Sequence, residues 1–244
     1  MNIIVQMWRS IFRTGVADSP VHRVFRVVVN FLLHLHPARV SKDGIKLRYT
    51  FCLGGLSLFF FIVTAVTGGF LMIYYYPDVD KAYASMKDID EIVPFGTFMR
   101  NLHRWAAHLM VIFVPLHMLR VFLTAAYKPP REFNWVIGVN LLLLTFLLSF
   151  TGYLLPWDQL SYWAVTVGTT MAENTPILGA QGPFSVLGPE EDMHFILLGG
   201  TTIGQPTLVR FYFAHCVALP GALAGLMALH FWRIRKAGGI SRPL

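Results

Sequence analysis

Four stretches of the chain, 47–76, 98–126, 133–155 and 208–234, are almost wholly apolar, and each is near or above the roughly 20 residues that a bilayer crossing requires. Inside hydrocarbon a polypeptide must satisfy its own N–H and C=O groups, so each stretch is expected to be a helix. Of the 244 residues, 55% are hydrophobic and 14% charged, which is too apolar for an ordinary soluble domain. The expected fold is therefore all-α and membrane-integral, with four transmembrane helices over 47–244. Pro77, the KPPRE turn at 128–132 and Pro156 close the first three segments. Between the third and fourth, 156–207 is a long Gly- and Pro-rich loop expected to fold into short surface helices, beginning at 157–169.

The placement of charge orients these segments. Positions up to Arg48, the 120–131 turn and the C-terminal tail hold 15 of the 20 Lys and Arg. Ten of the 13 acids, including Asp78, Asp80, Glu190 and Glu191, fall on the opposite side. By the positive-inside rule both ends face the cytoplasm or its equivalent, the negative (N) side, and the 156–207 loop faces the outer (P) side. This pattern reads the net charge of +7 as membrane topology rather than as nucleic-acid affinity. Residues 1–46 alternate basic and apolar runs, as a helix lying on an anionic membrane surface does; a basic tail that only enforces topology is the equal alternative. His34 and His36 belong to that interface. No cleavable signal peptide is evident in this basic, amphipathic start. Cys52 and Cys216, in different apolar segments, fit neither a disulfide framework nor a zinc site.

Four histidines lie inside the apolar helices. His103 and His117 are fourteen residues apart in the second, and His215 and His230 are fifteen apart in the fourth. Fourteen steps make just under four turns, so His103 and His117 share a face about 21 Å apart along the axis. With both ends inside, the second and fourth helices run the same way. His103 and His215 then share the outer depth, and His117 and His230 the inner one. Ionisable groups inside spanning helices are costly and by default functional. Two matched pairs could clamp two hemes, and bis-histidine ligation fills both axial positions of each iron, which suits electron passage rather than ligand activation.

Gly54 and Gly68 in the first helix, and Gly138 and Gly152 in the third, repeat the fourteen-residue interval. Glycine lets a backbone approach a flat macrocycle closely, although small-residue helix packing is also common in membranes. Arg100 and Arg104 flank the outer histidines, and Arg120 and Arg235 the inner ones, as heme propionates would require. Each arginine taken singly could equally anchor its helix at the interface.

The stretches FCLGG at 51–55, NLHRWAAHLMVIFVPLHMLRVFLT at 101–124, YKPPREFNWVIGV at 127–139, TGYLLPWDQLSYWAV at 151–165, and TLVRFYFAHCVALP with LHFWRIRKAGGISRPL resemble cytochrome b of the quinol-oxidising cytochrome bc complexes. They are most similar to the short, four-helix cytochrome b6 type and cover nearly everything after residue 47. The resemblance implies a quinone-binding subunit of a quinol:cytochrome c or plastocyanin oxidoreductase. Two b hemes would pass electrons from a P-side quinol site to an N-side quinone site, with proton translocation. It implies a Rieske iron–sulfur protein, a c-type cytochrome and a dimeric complex in the bacterial inner membrane, a thylakoid being the alternative. Trp157, Asp158, Tyr162 and Val165 match the edge of the family's quinol pocket, while Asp158 could instead be a helix N-cap. Cys52 matches the cysteine that, in the cytochrome b6 branch, holds an additional c-type heme by one thioether beside the inner b heme. The competing reading of Cys52 is a small buried hydrophobe, which is also the reading for Cys216. The pocket's glutamate motif lies beyond what the chain carries, so a further subunit with the remaining helices is expected. The acidic EEDMHF stretch and the long N-terminus depart from the family pattern. Two other readings compete: a diheme b anchor of a hydrogenase or formate dehydrogenase, lacking LPWDQ and the Cys52 stretch, and a colourless transporter whose histidines relay protons.

Overall fold

The computed structural model of the chain describes residues 46–241, together with 3, 4, 19–21, 23, 24, 42 and 44. The proposed surface helix over 1–46, with His34 and His36, lies outside the described residues apart from those few positions. Among the described residues four helices are long and apolar enough to cross a membrane: α1 (Leu53–Tyr74), α3 (Gly96–Leu123), α4 (Glu132–Leu154) and α7 (Gln205–Lys236). Only 6–11% of the most apolar window of each is buried, so their hydrophobic side chains face outward, as lipid-exposed helices require. Shorter helices join them: α2 (Ala82–Glu91), α5 (Gln159–Glu173) and α6 (Met193–Leu198). No strand occurs among the described residues.

The first helix starts later than the hydrophobic run implies. Phe51 and Cys52 adopt φ of 50° and 53°, which separates a single turn, Leu47–Thr50, from α1. Positive φ is costly for residues with a Cβ, and it stops helix propagation at that point. In α7 the α-helical path is interrupted by a π-helical turn, Ala214–Ala218, where the Leu219 N–H reaches back to the Ala214 carbonyl. Pro220 follows directly; it cannot donate to the Cys216 carbonyl and its ring crowds it, and widening the preceding turn relieves that conflict.

The described residues pack as two compact units. The first takes the positions up to Phe59, Met110–Thr145 and those from Ala222 onward; the second takes Phe60–Leu109 and Phe146–Gly221. Each of the four long helices supplies residues to both.

In the first unit the C-terminal tail is tied back by polar contacts. Arg131 donates to the carbonyls of Gly239 (2.7 Å) and Ala237 (3.1 Å), and Tyr49 Oη lies 3.2 Å from Ser241 Oγ. Phe122 stacks on Tyr127 at 5.6 Å, and Trp135 leans on Tyr127 at 5.5 Å, closing the turn between α3 and α4.

In the second unit two apolar clusters sit under the short helices. Ala82 and Ile89 of α2 pack with Tyr75 and Leu208, and Val165 of α5 packs with Leu154, Leu198 and Phe211. The buried positions Ala82, Ser85 and Ile89, and Ser161, Val165 and Thr169, recur at one-turn or two-turn spacing, so each short helix presents one stripe inward. Gln205 clamps the chain after α1, accepting from the Val79 N–H and donating to the Pro77 carbonyl. The Tyr75 hydroxyl donates to the Leu155 carbonyl at 2.6 Å. The 156–207 segment is thus a folded region, with α5 and α6 where short surface helices are expected. The acidic stretch within it divides by role. Asp192 is buried at 1% exposure and caps α6, accepting from the Phe195 N–H (2.9 Å) and the Ala180 N–H (3.1 Å). Glu190 and Glu191 remain exposed.

Candidate functional site

In the second unit, α3 delivers His103 and the π-turn of α7 delivers His215, with ring centroids 6.3 Å apart and planes at 76°. In the first unit, His117 of α3 and His230 of α7 face each other at 6.4 Å and 81°. An imidazole nitrogen binds a metal at about 2 Å, and its ring centroid lies about 1 Å behind, so two imidazoles on opposite sides of one ion place their centroids roughly 6 Å apart. Both pairs have that separation. Among the described residues no three His, Cys, Asp or Glu side chains converge on a point. An ion held between either pair would take both imidazoles and, among the described residues, no further His, Cys, Asp or Glu ligand. Such a donor set fits a metal that brings its own equatorial ring, as heme iron does.

The tautomer in the second unit follows from its hydrogen bonds. His215 Nδ1 lies 3.1 Å from the Leu148 carbonyl, which can only accept, so the proton is on Nδ1 and Nε2 keeps its lone pair. Thr151 Oγ1 is a second neighbour at 3.2 Å. His103 Nδ1 meets Thr67 Oγ1 at 2.9 Å. In the first unit, by contrast, the buried Nδ1 atoms of His117 and His230 have no hydrogen-bond partner among the described residues.

Three of the four spaced glycines lie against these rings. A Cβ on Gly54 would come within 3.1 Å of His117 Cε1, one on Gly68 within 3.1 Å of His103 Cε1, and one on Gly152 within 2.6 Å of His215 Cε1. Side chains there would push the imidazoles out of line. A Cβ on Gly138 meets nothing within 4 Å.

The arginines divide. Arg235 is 9% exposed in the first unit, and Arg120 lies over the Tyr49 ring at 5.2 Å. Arg233, which the sequence reading passed over, is more buried than either at 2% and stacks on Phe133 at 5.4 Å. In the second unit Arg100 is ion-paired with Asp90, and Arg104 is exposed. Cys52 is exposed, with its N–H 3.3 Å from Thr50 Oγ1, and Cys216 is partly buried in the π-turn.

Of the four candidate pocket-edge residues, Trp157 and Asp158 line an open cleft of about 430 Å³ with Tyr83, Gln159 and Leu160. Asp158 also caps α5, its Oδ1 accepting from the N–H and the hydroxyl of Ser161, both at 2.8 Å. Tyr162 is exposed against Trp163, and Val165 is wholly buried in the apolar cluster; neither lines the cleft. Tyr83 carried no signal before the fold joined α2 to this edge. Thr67 and Thr151 did carry one: each immediately precedes a glycine of the fourteen-residue series, whereas Gly54 and Gly138 follow Leu53 and Ile137.

Residues 39–238 match the protein family described as cytochrome b/b6/petB. The chain is 44% identical over 198 residues to the cytochrome b6 of Heliobacterium mobile, a match covering 81% of this chain and 87% of that one. Its identity to the menaquinol:cytochrome c reductase cytochrome b subunit of Bacillus subtilis is 42% over 241 residues, covering 99% and 94%. Among solved structures, a chain of a hyperthermophilic respiratory complex III is similar with a TM-score of 0.73 at 30% identity. That match covers 93% of this chain and 55% of the other, so this chain spans little more than half of its length.

Proposed function

The chain belongs to the cytochrome b/b6 family and is an integral membrane protein, and from that premise we propose that it is the quinone-binding, electron-transferring subunit of a proton-translocating quinol:cytochrome c or plastocyanin oxidoreductase. The observation that carries the reading is the pair of facing histidines in each unit, at 6.3 and 6.4 Å. His103 and His215 would hold the P-side b heme through Nε2, and His117 and His230 the N-side one. A heme held by each histidine pair would supply a one-electron ferric/ferrous couple. The chain's own residues orient and shelter those groups. Gly54, Gly68 and Gly152 let neighbouring backbone close on the imidazole edges, and Gly138 leaves room at the matching register. Arg120 and Arg235 are the cations for N-side propionates, with Arg233 two residues before Arg235 in sequence; Arg100 and Arg104 are assigned to the P-side ones. Burial of Arg235 removes competing water and strengthens its charge interactions.

Trp157 and Asp158 form the edge of the quinol site, with Tyr162 and Val165 supporting the helix behind it. The exposed Cys52 Sγ is assigned the single thioether of an additional c-type heme. The assembly includes a subunit carrying the remaining helices, a Rieske protein and a c-type cytochrome, arranged as a dimer in a bacterial inner membrane with both ends of this chain on the cytoplasmic side.

Pyridine-hemochrome quantitation on the purified complex tests the reading. Two b hemes per chain are expected, plus one c heme that stays with the polypeptide through denaturing electrophoresis. Replacing His103 by Leu should remove one b component and block turnover. A colourless preparation, or an unchanged spectrum in the His103 variant, overturns the bis-histidine assignment; loss of the band after acid–acetone extraction overturns Cys52 alone.

A further inference from the structure

We propose that Thr67 is a positioning residue that lowers the reduction potential of the heme held by His103 and His215, with Thr151 contributing less, and that no described side chain does the same for the His117/His230 site. The inference rests on the bis-histidine reading above. Thr67 is 2% exposed, and its hydroxyl donates to the Val63 carbonyl at 2.7 Å. That bond uses its only proton, so toward His103, at 2.9 Å, the hydroxyl acts as acceptor and Nδ1 carries the hydrogen. The contact aligns the ring with Nε2 free for iron. It also draws the Nδ1 proton outward, making the ring a stronger donor to iron. Greater electron donation favours ferric over ferrous iron and moves the one-electron couple negative.

His215 has the same kind of contact twice. Its Nδ1 lies 3.1 Å from the Leu148 carbonyl and 3.2 Å from Thr151 Oγ1, whose own proton goes to the Leu147 carbonyl at 2.9 Å. A backbone carbonyl stands by each ring, that of Thr64 for His103 and that of Leu148 for His215, and the smaller part given to Thr151 follows from its longer contact, 3.2 Å against 2.9 Å for Thr67. In the other unit the residues preceding the glycines are Leu53 and Ile137, which have no hydroxyl, and the Nδ1 atoms of His117 and His230 find no acceptor. Threonine within a membrane helix commonly bonds back to its own helix, as Thr64, Thr124 and Thr145 do here. Thr67 and Thr151 differ from those three in also meeting a histidine.

The test is potentiometric titration of the b-band absorbance in membranes containing the whole complex. Thr67→Val keeps the shape and removes the hydroxyl. Its expected effect is a positive shift of one b midpoint by up to about tenfold in the reduction equilibrium, which is about 59 mV for one electron. The other midpoint and the heme content should stay at wild-type values. Thr67→Ser should restore the midpoint, and Thr151→Val should move it less than Thr67→Val. If Thr67→Val does not accumulate, Thr67→Cys, a poor acceptor of similar size, is titrated with the same expectation. The proposal is overturned by an unmoved midpoint in a variant holding both hemes, by equal shifts of both hemes, or by a serine variant that shifts as far as valine. Absence of b heme from the wild-type complex would instead overturn the bis-histidine reading.

Discussion

At the scale of single residues, the tightest contact in the site is between Gly152 and His215. An added methyl there would sit 2.6 Å from Cε1, closer than real carbon contacts tolerate, so the ring or the helix must move. Gly152→Ala should cost about 1–3 kcal/mol through overpacking and lower retention of the His103/His215 heme in detergent. Gly54→Ala and Gly68→Ala, with 3.1 Å approaches, should be milder, the first acting on the His117/His230 heme and the second on the other. Equal heme retention in all three variants would refute this ordering. Asp192 gives a second prediction at this scale. Burial raises its pKa, but hydrogen bonds from the Phe195 and Ala180 N–H groups, and the neighbouring His194, outweigh that effect and hold the carboxyl below its usual value. A depressed folded pKa means that the contribution is complete above the unfolded value, about 3.9, and fades as pH falls through the lower folded one. Amides of α6 should therefore stay protected from hydrogen exchange at neutral pH and open only on acidification below about pH 4. In Asp192→Ala the lost cap, about 1 kcal/mol, should raise exchange at neutral pH and remove the acid step.

At the scale of elements, the π-turn of α7 reconciles two unequal intervals. His215 and His230 are fifteen residues apart, against fourteen for His103 and His117. A π-turn accommodates one residue more than an α-turn in the same stretch of helix. The extra residue is absorbed within Ala214–Ala218 instead of rotating His230 away from its partner. Deleting Val217 should therefore convert the turn to α-helix and leave both b hemes bound. Deleting Val111 from the uninterrupted stretch of α3 between its histidines should turn His117 by about 100° and lose one heme. Heme counts per chain distinguish the two, and comparable loss in both deletions would reject the register argument.

At the scale of the whole molecule, the chain passes between its two compact units once in each long helix, and both ends of the described continuous stretch belong to the same unit. On the proposal, drawn from the lopsided Lys and Arg, that both ends face the cytoplasm, a reporter inserted at 184–186 should be active outside and one fused after Leu244 active inside; the opposite pattern would invert the proposed P-side and N-side assignment. Hydrophobic length and helix-ending prolines are local properties of a chain, and they determined by themselves the four candidate spans; the histidine intervals together with the placement of charge gave the expectation that His103 stands with His215 and His117 with His230, and those rings lie 6.3 and 6.4 Å apart. The short turn ahead of α1, the α2 helix and the burial of Arg233 and Val165 were decided only by tertiary packing. They depend on which backbone and side-chain atoms meet across helices distant in sequence. The same holds for the partner of each imidazole Nδ1. Threonines at 67 and 151 are marked in the sequence only by the glycines that follow them, and their contact with an imidazole emerges when the fold brings His103 and His215 against them, because a hydrogen bond needs both of its atoms within about 3 Å.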